Sequence, residues 1–240
     1  MNSIIERIDS YAFDERFYRK CENGIEEYRP SLTHVLGYAY PKDFGLEQWR
    51  GDVGNKRADE IMEETAEDGS YVHKAIENIL NGIHVPRQDI EGRFAPKRAL
   101  KIMRCIKAFL DWHDEYKPKT ISTEYIVWHD KFAGTVDYKC EINGEIYIVD
   151  FKTSKTLHNS HKVQICGYGI ADTEHKIEKV ALLHLGNTTK KKYSFNVLDD
   201  EERKEYEIHC NQTLTMFHIL NPNAQPTSEK FPDDFYLAIK

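Results

Sequence analysis

The segment FAGTVDYKCEINGEIYIVDFKT, residues 132–153, constrains the fold more than any other. Two runs rich in Val, Ile, Tyr and Phe flank Asn143-Gly144, and Asn-Gly between such runs predicts a two-residue hairpin. An earlier run, TISTEYIVWH (120–129), predicts a strand ahead of it. HNSHKVQICGYGIADT (158–173) reads as a helix, and KVALLHLG (179–186) and KKYSFNVL (191–198) as two more strands around a loop holding three lysines. A last helix over 199–220 opens with Asp199, Asp200, Glu201 and Glu202, where the positive end of the helix favours acids. A hairpin is antiparallel, whereas a helix between strands can cross over to a parallel neighbour. The expected class is α/β, with a mixed central sheet flanked by helices and an N-terminal helical region.

Upstream, FYRKCENGIEEYR (17–29) holds a second Asn-Gly pair and predicts another hairpin. A short helix after Ser31 ends at Pro41, and a charged helical stretch covers 52–66. DGSYVHKAIENILNG (68–82) predicts a further helix capped by Asp68 or Ser70, with Gly82 beyond its last turn. His73 points the same way as the stripe Ile76, Ile79 and Leu80. After a linker with Pro86, a helix over 95–116 places Leu100, Ile102, Met103, Ile106, Phe109 and Leu110 inward, and Lys97, Lys101 and Arg104 on the opposite side. The tail after Pro222 reads as irregular. One domain over 1–240 is expected: a hairpin and helical part to 118, a sheet core over 119–198, and a helix with tail from 199.

Composition narrows the function classes. With 40% hydrophobic and 30% charged residues the chain can bury a sizeable core, and its formal net charge of −7 means that any nucleic-acid contact needs a local basic surface. The five cysteines, at 21, 105, 140, 166 and 210, form no CxxC pair, so free thiols are expected and neither a zinc knuckle nor an iron–sulfur cluster. No apolar run approaches the ~20 residues of a membrane span. MNSIIERIDSYAFDERF at the start carries acids and no signal-peptide core, so a cytoplasmic setting is expected.

The charged residues of the central hairpin sit where its apolar runs end. Alternation puts Asp150 and Lys152 on one face of their strand and Phe151 on the other. Asp137 and Asp150 are equidistant, within a residue, from the centre of the turn, so antiparallel pairing can set them opposite each other. Two facing carboxylates repel and call for a cation, either Lys152 or a divalent metal. Oxygen ligands suit magnesium or manganese, and a metal so held can steady charge on a phosphodiester, with Lys152 close enough to handle a proton. The plain alternative is a surface Asp150–Lys152 salt bridge with Asp137 as an unrelated neighbour. Gln164 and Tyr168, four apart, share one helix face. They could meet a phosphate, the lysine or a base, or simply pack Tyr168 on the sheet. Trp49, Trp128 and Tyr125 could stack on bases or belong to the core.

GTVD followed by IVDFKTSK resembles the two core motifs of the PD-(D/E)XK nuclease superfamily, in its RecB-like branch, nearest the mitochondrial genome maintenance exonuclease and phage exonuclease group. GSYVHKAIE resembles that branch's histidine helix, TEY its acidic strand motif, and QICGY its Q-x-x-x-Y motif. YRPSLTHVL…YPK…LEQW resembles the group's opening, and together these matches span about residues 28–198. The resemblance implies a restriction-endonuclease-like core and a metal-dependent DNA exonuclease acting on single-stranded or free ends, in replication, repair or recombination and with protein partners from those processes. It implies magnesium or manganese bound by His73, Asp137, Asp150 and the main-chain carbonyl of Phe151, and no iron–sulfur cluster. It implies Lys152 as the catalytic lysine and Glu124 as a further acid. DNA contacts are expected from Gln164 and Tyr168, from Ser31, Thr33 and Lys42, and from Lys97, Lys101 and Arg104. Glu77, one turn beyond His73, is a candidate to hold its ring. An endonuclease on the same core and a non-cleaving DNA-binding module are the alternatives.

Overall fold

Both Asn-Gly pairs turn the chain as their sequence predicts. In the computed structural model, which describes residues 4–9, 16–42 and 44–226, φ is 53° and 79° at Asn23 and Gly24, and 54° and 88° at Asn143 and Gly144. Positive φ at both positions matches the turn to the twist of its strands, and Gly meets that demand without a Cβ clash. The first turn joins β2 (Arg16–Glu22) to β3 (Ile25–Pro30), and β1 (Ile4–Asp9) pairs antiparallel along β2 to complete a three-stranded sheet. The second turn joins β5 (Ala133–Ile142) to β6 (Glu145–Lys152).

The main sheet runs β4 (Lys119–Trp128), β5, β6, β7 (Lys179–Leu185), β8 (Tyr193–Val197). Neighbours are antiparallel except β6 and β7, which are parallel and connected through α6 (Asn159–Ala171). One face is covered by α1 (Leu32–Ala39), α6 and α7 (Asp200–Leu220), the other by α3 (Asn55–Leu80), α4 (Arg87–Arg93) and α5 (Pro96–Tyr116); α2 (Phe44–Val53) packs along α3. The fold is the expected mixed sheet flanked by helices. β6 shows why: Ile148 enters the α6 side of the core, while Tyr147, Val149 and Phe151 enter the α5 side. A strand buried on both faces reads as a continuous apolar run, so Asp150, 2% exposed, breaks a pattern that burial alone would complete.

Three helical expectations are corrected. The stretches read as two helices, 52–66 and 68–82, form the single α3 of 26 residues. Asp68 caps nothing: it is buried mid-helix and accepts from Arg98 Nε of α5 at 2.8 Å, while Arg98 also reaches Glu67 at 2.6 Å. Gly69 lets α3 pass the end of β6, where a Cβ would stand 3.1 Å from Thr153 Oγ1. The Pro86 linker contains α4. On α5 the buried face is Ile102, Cys105, Ile106, Phe109 and Trp112, whereas Leu100 and Leu110 are 45% and 46% exposed. Leu100 lies roughly 200° around the helix from Ile102, too far to share its face. All five cysteines are free, and no helix of the described residues is long and apolar enough to cross a membrane.

The tie between Asp68 and Arg98 predicts the effect of a substitution that would be neutral at a cap. Asp68→Ser, a fair exchange at an N-cap, should destabilise the fold by about 2 kcal/mol through loss of a charge-assisted hydrogen bond. Arg98→Met should add little on that background. Urea titration of both variants and their double checks it; a neutral Asp68→Ser would contradict the interior role.

Candidate active site

Glu124, Asp137 and Asp150 stand level on adjacent strands. Thr123 pairs with Tyr138 and Tyr125 with Val136, so Glu124 falls opposite Asp137; Tyr138 pairs with Val149, so the next step sets Asp137 opposite Asp150. Regular pairing fails along this row. The β5–β6 ladder ends at Tyr138–Val149, and beyond it Phe151 N–H donates to Asp137 Oδ2 at 2.7 Å. Glu124 has φ +46°, a left-handed conformation costing a non-glycine residue about 1 kcal/mol or more. Its neighbour Tyr125 is pinned on the other face, donating to Asp172 Oδ2 at 2.6 Å.

α3 brings in the imidazole. His73 Nδ1 lies 3.3 Å from Asp137 Oδ1, and its ring meets Phe151 edge-on at 5.9 Å between centroids. His73, Glu124 and Asp137 each offer a donor atom, all within 4.8 Å of one another. A hard divalent cation takes oxygen or nitrogen at roughly 2.0–2.6 Å, so this set can close on one ion. Asp150 lies outside the set. Its Oδ2 is 2.7 Å from Lys152 Nζ but is not aligned for a hydrogen bond, which leaves a buried carboxylate oxygen open to a cation. The sequence placed Glu124 behind Asp150 as a ligand, and the geometry puts Glu124 nearer the imidazole. Glu77 bonds Lys74 at 2.6 Å rather than holding His73.

The charges are strongly coupled. Burial alone would lower the His73 pKa, but the Asp137 carboxylate, by charge and hydrogen bond, and then Asp150 raise it to about 9. Burial would raise Asp137, yet the imidazolium beside it holds it below the usual carboxylate range. Asp150 is pushed up by burial and by the Asp137 charge, against Lys152. Glu124 rises to about 7 through burial and the charge of Asp137.

Gln164 and Tyr168 line the cleft and meet the lysine, one of the partners their spacing allowed. Lys152 Nζ donates to Gln164 Oε1 at 3.0 Å, and Gln164 Nε2 donates to Tyr168 OH at 3.0 Å. Tyr168 is buried, and its ring fills the space over Gly134, where a Cβ would come within 2.3 Å of Cε1. The glycine of GTVD and the tyrosine of QICGY are thus two halves of one contact that fixes Lys152.

His73, Glu124, Asp137, Lys152, Gln164 and Tyr168 line a cleft of about 1440 Å³, larger than the ~300–1,000 Å³ usual for a small ligand. Thr33 lines it, but Ser31 does not: it is buried, and its hydroxyl accepts from His34 N–H as the cap of α1. Lys42, Lys97, Lys101 and Arg104 lie outside the lining, and Lys101 turns to Asp68 at 3.5 Å. Tyr125 is held under Asp172, and Trp128 carries Arg29 over its ring at 5.3 Å. Trp49 does face the cleft. The sequence reading missed Arg7, Arg16 and Tyr18, which share one face of the N-terminal sheet and form a cleft wall. Tyr18 OH is tied to Thr135 Oγ1 at 2.9 Å, two residues before Asp137. Only the pairing of β1 with β2, invisible in local sequence, puts them together.

No family model and no curated protein matches the chain. Among solved structures, a protein from Eubacterium rectale provisionally named an exonuclease aligns with a TM-score of 0.46 and 12% identity, over 72% of this chain and 77% of that one. SSO0001 aligns with a TM-score of 0.29 and 14% identity, over 55% and 73%. Likenesses this distant leave the site geometry as the ground for a functional reading.

Two outcomes follow from the geometry. A divalent ion at this cluster must displace the His73 proton below about pH 9 and the Glu124 proton below about pH 7. Manganese affinity should therefore rise with pH, about tenfold per unit for each proton displaced, and level off above about 9. Calorimetry in buffers of different ionisation enthalpy should detect the released protons, and an affinity flat from pH 6 to 8 would contradict the ligand set. Separately, Gly134→Ala should cost about 1–3 kcal/mol by overpacking against Tyr168. Combined with Tyr168→Ala it should cost less than the sum, measured by thermal melts.

Proposed function

We propose that this protein is a magnesium- or manganese-dependent deoxyribonuclease that hydrolyses phosphodiester bonds from single-stranded ends. The observation that carries the reading is the convergence of His73, Glu124 and Asp137 donors within 4.8 Å, with Lys152 in the same cleft and the buried Asp150 paired to it from behind. The motif resemblance to RecB-like nucleases supports it, and with it the restriction-endonuclease-like core and a place in DNA repair or recombination.

In this reading His73, Glu124 and Asp137 hold the cation, joined by Asp150 and the Phe151 carbonyl. Bound there, the metal supplies Lewis-acid stabilisation of charge on a phosphoryl group. His73 gives up its proton to become a neutral donor. Lys152 donates to Gln164 and stands 2.7 Å from Asp150, and its ammonium group lines the cleft where the substrate would pass. Its fixed charge offsets the negative charge that builds up at the reacting phosphate. The single-strand preference rests on the two unlike sides of the cleft. Leu46, Trp49, Ile61 and Met62 offer an apolar side on which unpaired bases stack, and Arg7 and Arg16 a cationic one for phosphates. A duplex presents no base faces to such a surface.

The test is digestion of end-labelled single-stranded and duplex DNA with Mg²⁺, Mn²⁺ or chelator. Asp137→Ala, Asp150→Ala and Lys152→Ala should each lose about 10²-fold or more in rate, and chelator should abolish cutting. A closed single-stranded circle should survive where its linear form is degraded. Cleavage of the circle would move the protein to the endonucleases. Binding without cleavage under every metal would leave a non-cleaving module.

A further inference from the structure

Residues 153–158 run from β6 to α6 along the cleft, and the helix they enter opens on two imidazoles. Helix N-termini usually take Ser, Thr, Asp or Asn as caps. Here His158 is the N-cap and His161 stands three residues on. His161 Nδ1 accepts from the His158 N–H at 3.3 Å, and the reciprocal contact to the His158 ring closes a capping box. A nitrogen that accepts carries no proton, so the proton of the neutral His161 ring sits on Nε2. The ring stays neutral, because burial first, then the charges of Lys152, His158 and His184, draw its pKa down to about 3.

His161 lines the cleft beside Lys152, and its Nε2 bonds to none of the described residues. Its surroundings call for an anion. Lys152 and Lys155 reach the same stretch of cleft, and the first turn of α6 holds no acid. Among the described residues the carboxylates lining the cleft are on α3, β4 and β5, and Asp150, behind Lys152, is paired with that lysine at 2.7 Å, which leaves Lys155 as the second cation on this stretch. A carboxylate cap would satisfy the helix equally well, but the imidazole caps through one nitrogen and also holds out a donor on the other.

Resting on the nuclease reading, we propose that His161 is a phosphate-binding residue. Its Nε2–H donates to a non-bridging oxygen of the nucleic-acid strand passing Lys152, at the phosphodiester next to the one held by the acid cluster. As a neutral donor it fixes the register of the strand without adding to the charge that retains product.

The experiment measures binding of fluorescein-labelled (dT)12 by anisotropy, in chelator, using the wild-type protein and two amide variants. His161→Asn keeps an acceptor near the Nδ1 position and removes the Nε2 donor. It should melt with the wild type and bind roughly tenfold more weakly, the size of one hydrogen bond to a charged group. A single methylphosphonate, moved along the oligonucleotide, should weaken the wild type by a similar factor at one position and leave His161→Asn indifferent there. In His161→Gln, whose amide reaches toward the Nε2 position, that penalty should return. Equal methylphosphonate penalties in wild type and His161→Asn, or no penalty in His161→Gln, would overturn the inference while leaving the nuclease reading intact. A wild-type protein that neither binds the oligonucleotide nor cuts it with manganese would end the nuclease reading and this inference together.

Discussion

One hydrogen bond organises the site: Phe151 N–H donates to the carboxylate of Asp137 rather than to a backbone carbonyl of β5. A strand pair that closed normally here would bury its polar backbone in the ladder and leave Asp137 to point into core or solvent. With the acid taking the backbone donor, β5 and β6 part beyond Tyr138–Val149, and a gap opens at the end of an otherwise sealed sheet. Into that gap come His73 from α3 on one side and Lys152, backed by α6, on the other. Each partner reduces the cost of burying the next. A lone buried carboxylate would neutralise, but Asp137 stays ionised because an imidazolium and a backbone N–H both favour its charge.

The strain at Glu124 has a matching restraint on the opposite face. Lys139 of β5 is fully buried, 2.7 Å from Asp172, with Tyr125 stacked 4.5 Å from its ammonium and donating to the same aspartate. Asp172, Glu174 and His175 form a cluster that could attract a cation, and Lys139 supplies it. Charge-assisted hydrogen bonds of this kind contribute about 1.5–3 kcal/mol each, enough to hold Tyr125 and with it the left-handed turn at Glu124 that a free strand would relax.

The sheet, both Asn-Gly turns and the crossover helix were legible because each depends on local chemistry: β-branched runs, turn residues and apolar periodicity. The level placement of Asp137 and Asp150 was legible too, since equal distance from a hairpin turn fixes register, whereas Glu124 came only from the resemblance of TEY to a family motif. The boundaries on the α3 side were not. Asp68-Gly69-Ser70 has the composition of a helix start, and only the partner on α5, thirty residues away in sequence, makes it an interior. Charge on a helix was equally ambiguous. Lys97, Lys101 and Arg104 look like a binding stripe by spacing, while the cationic wall of the cleft comes from Arg7 and Arg16 on strands whose pairing no local pattern announces. For Gln164 and Tyr168 the sequence left open a phosphate, the lysine, a base or packing on the sheet, because whether a polar pair faces outward or braces a neighbour depends on what lies beneath, here Gly134.

The coupling of His73 to Asp137 also bears on how the fold would relate to a bound cation. In small metal-built domains the ligands cannot be buried together until the cation neutralises them, so folding waits on loading. Here a proton does that work. Raised to about 9, His73 is an imidazolium at neutral pH and sits where the carboxylates need positive charge, while Lys152 serves Asp150. The charges of the site are therefore already balanced and its side chains already converge, so a cation bound there would enter by exchange for protons rather than by ordering the chain. That arrangement would give up some metal affinity at low pH in return for a cleft whose walls already stand in place, as a rigid constellation of acids and one lysine requires.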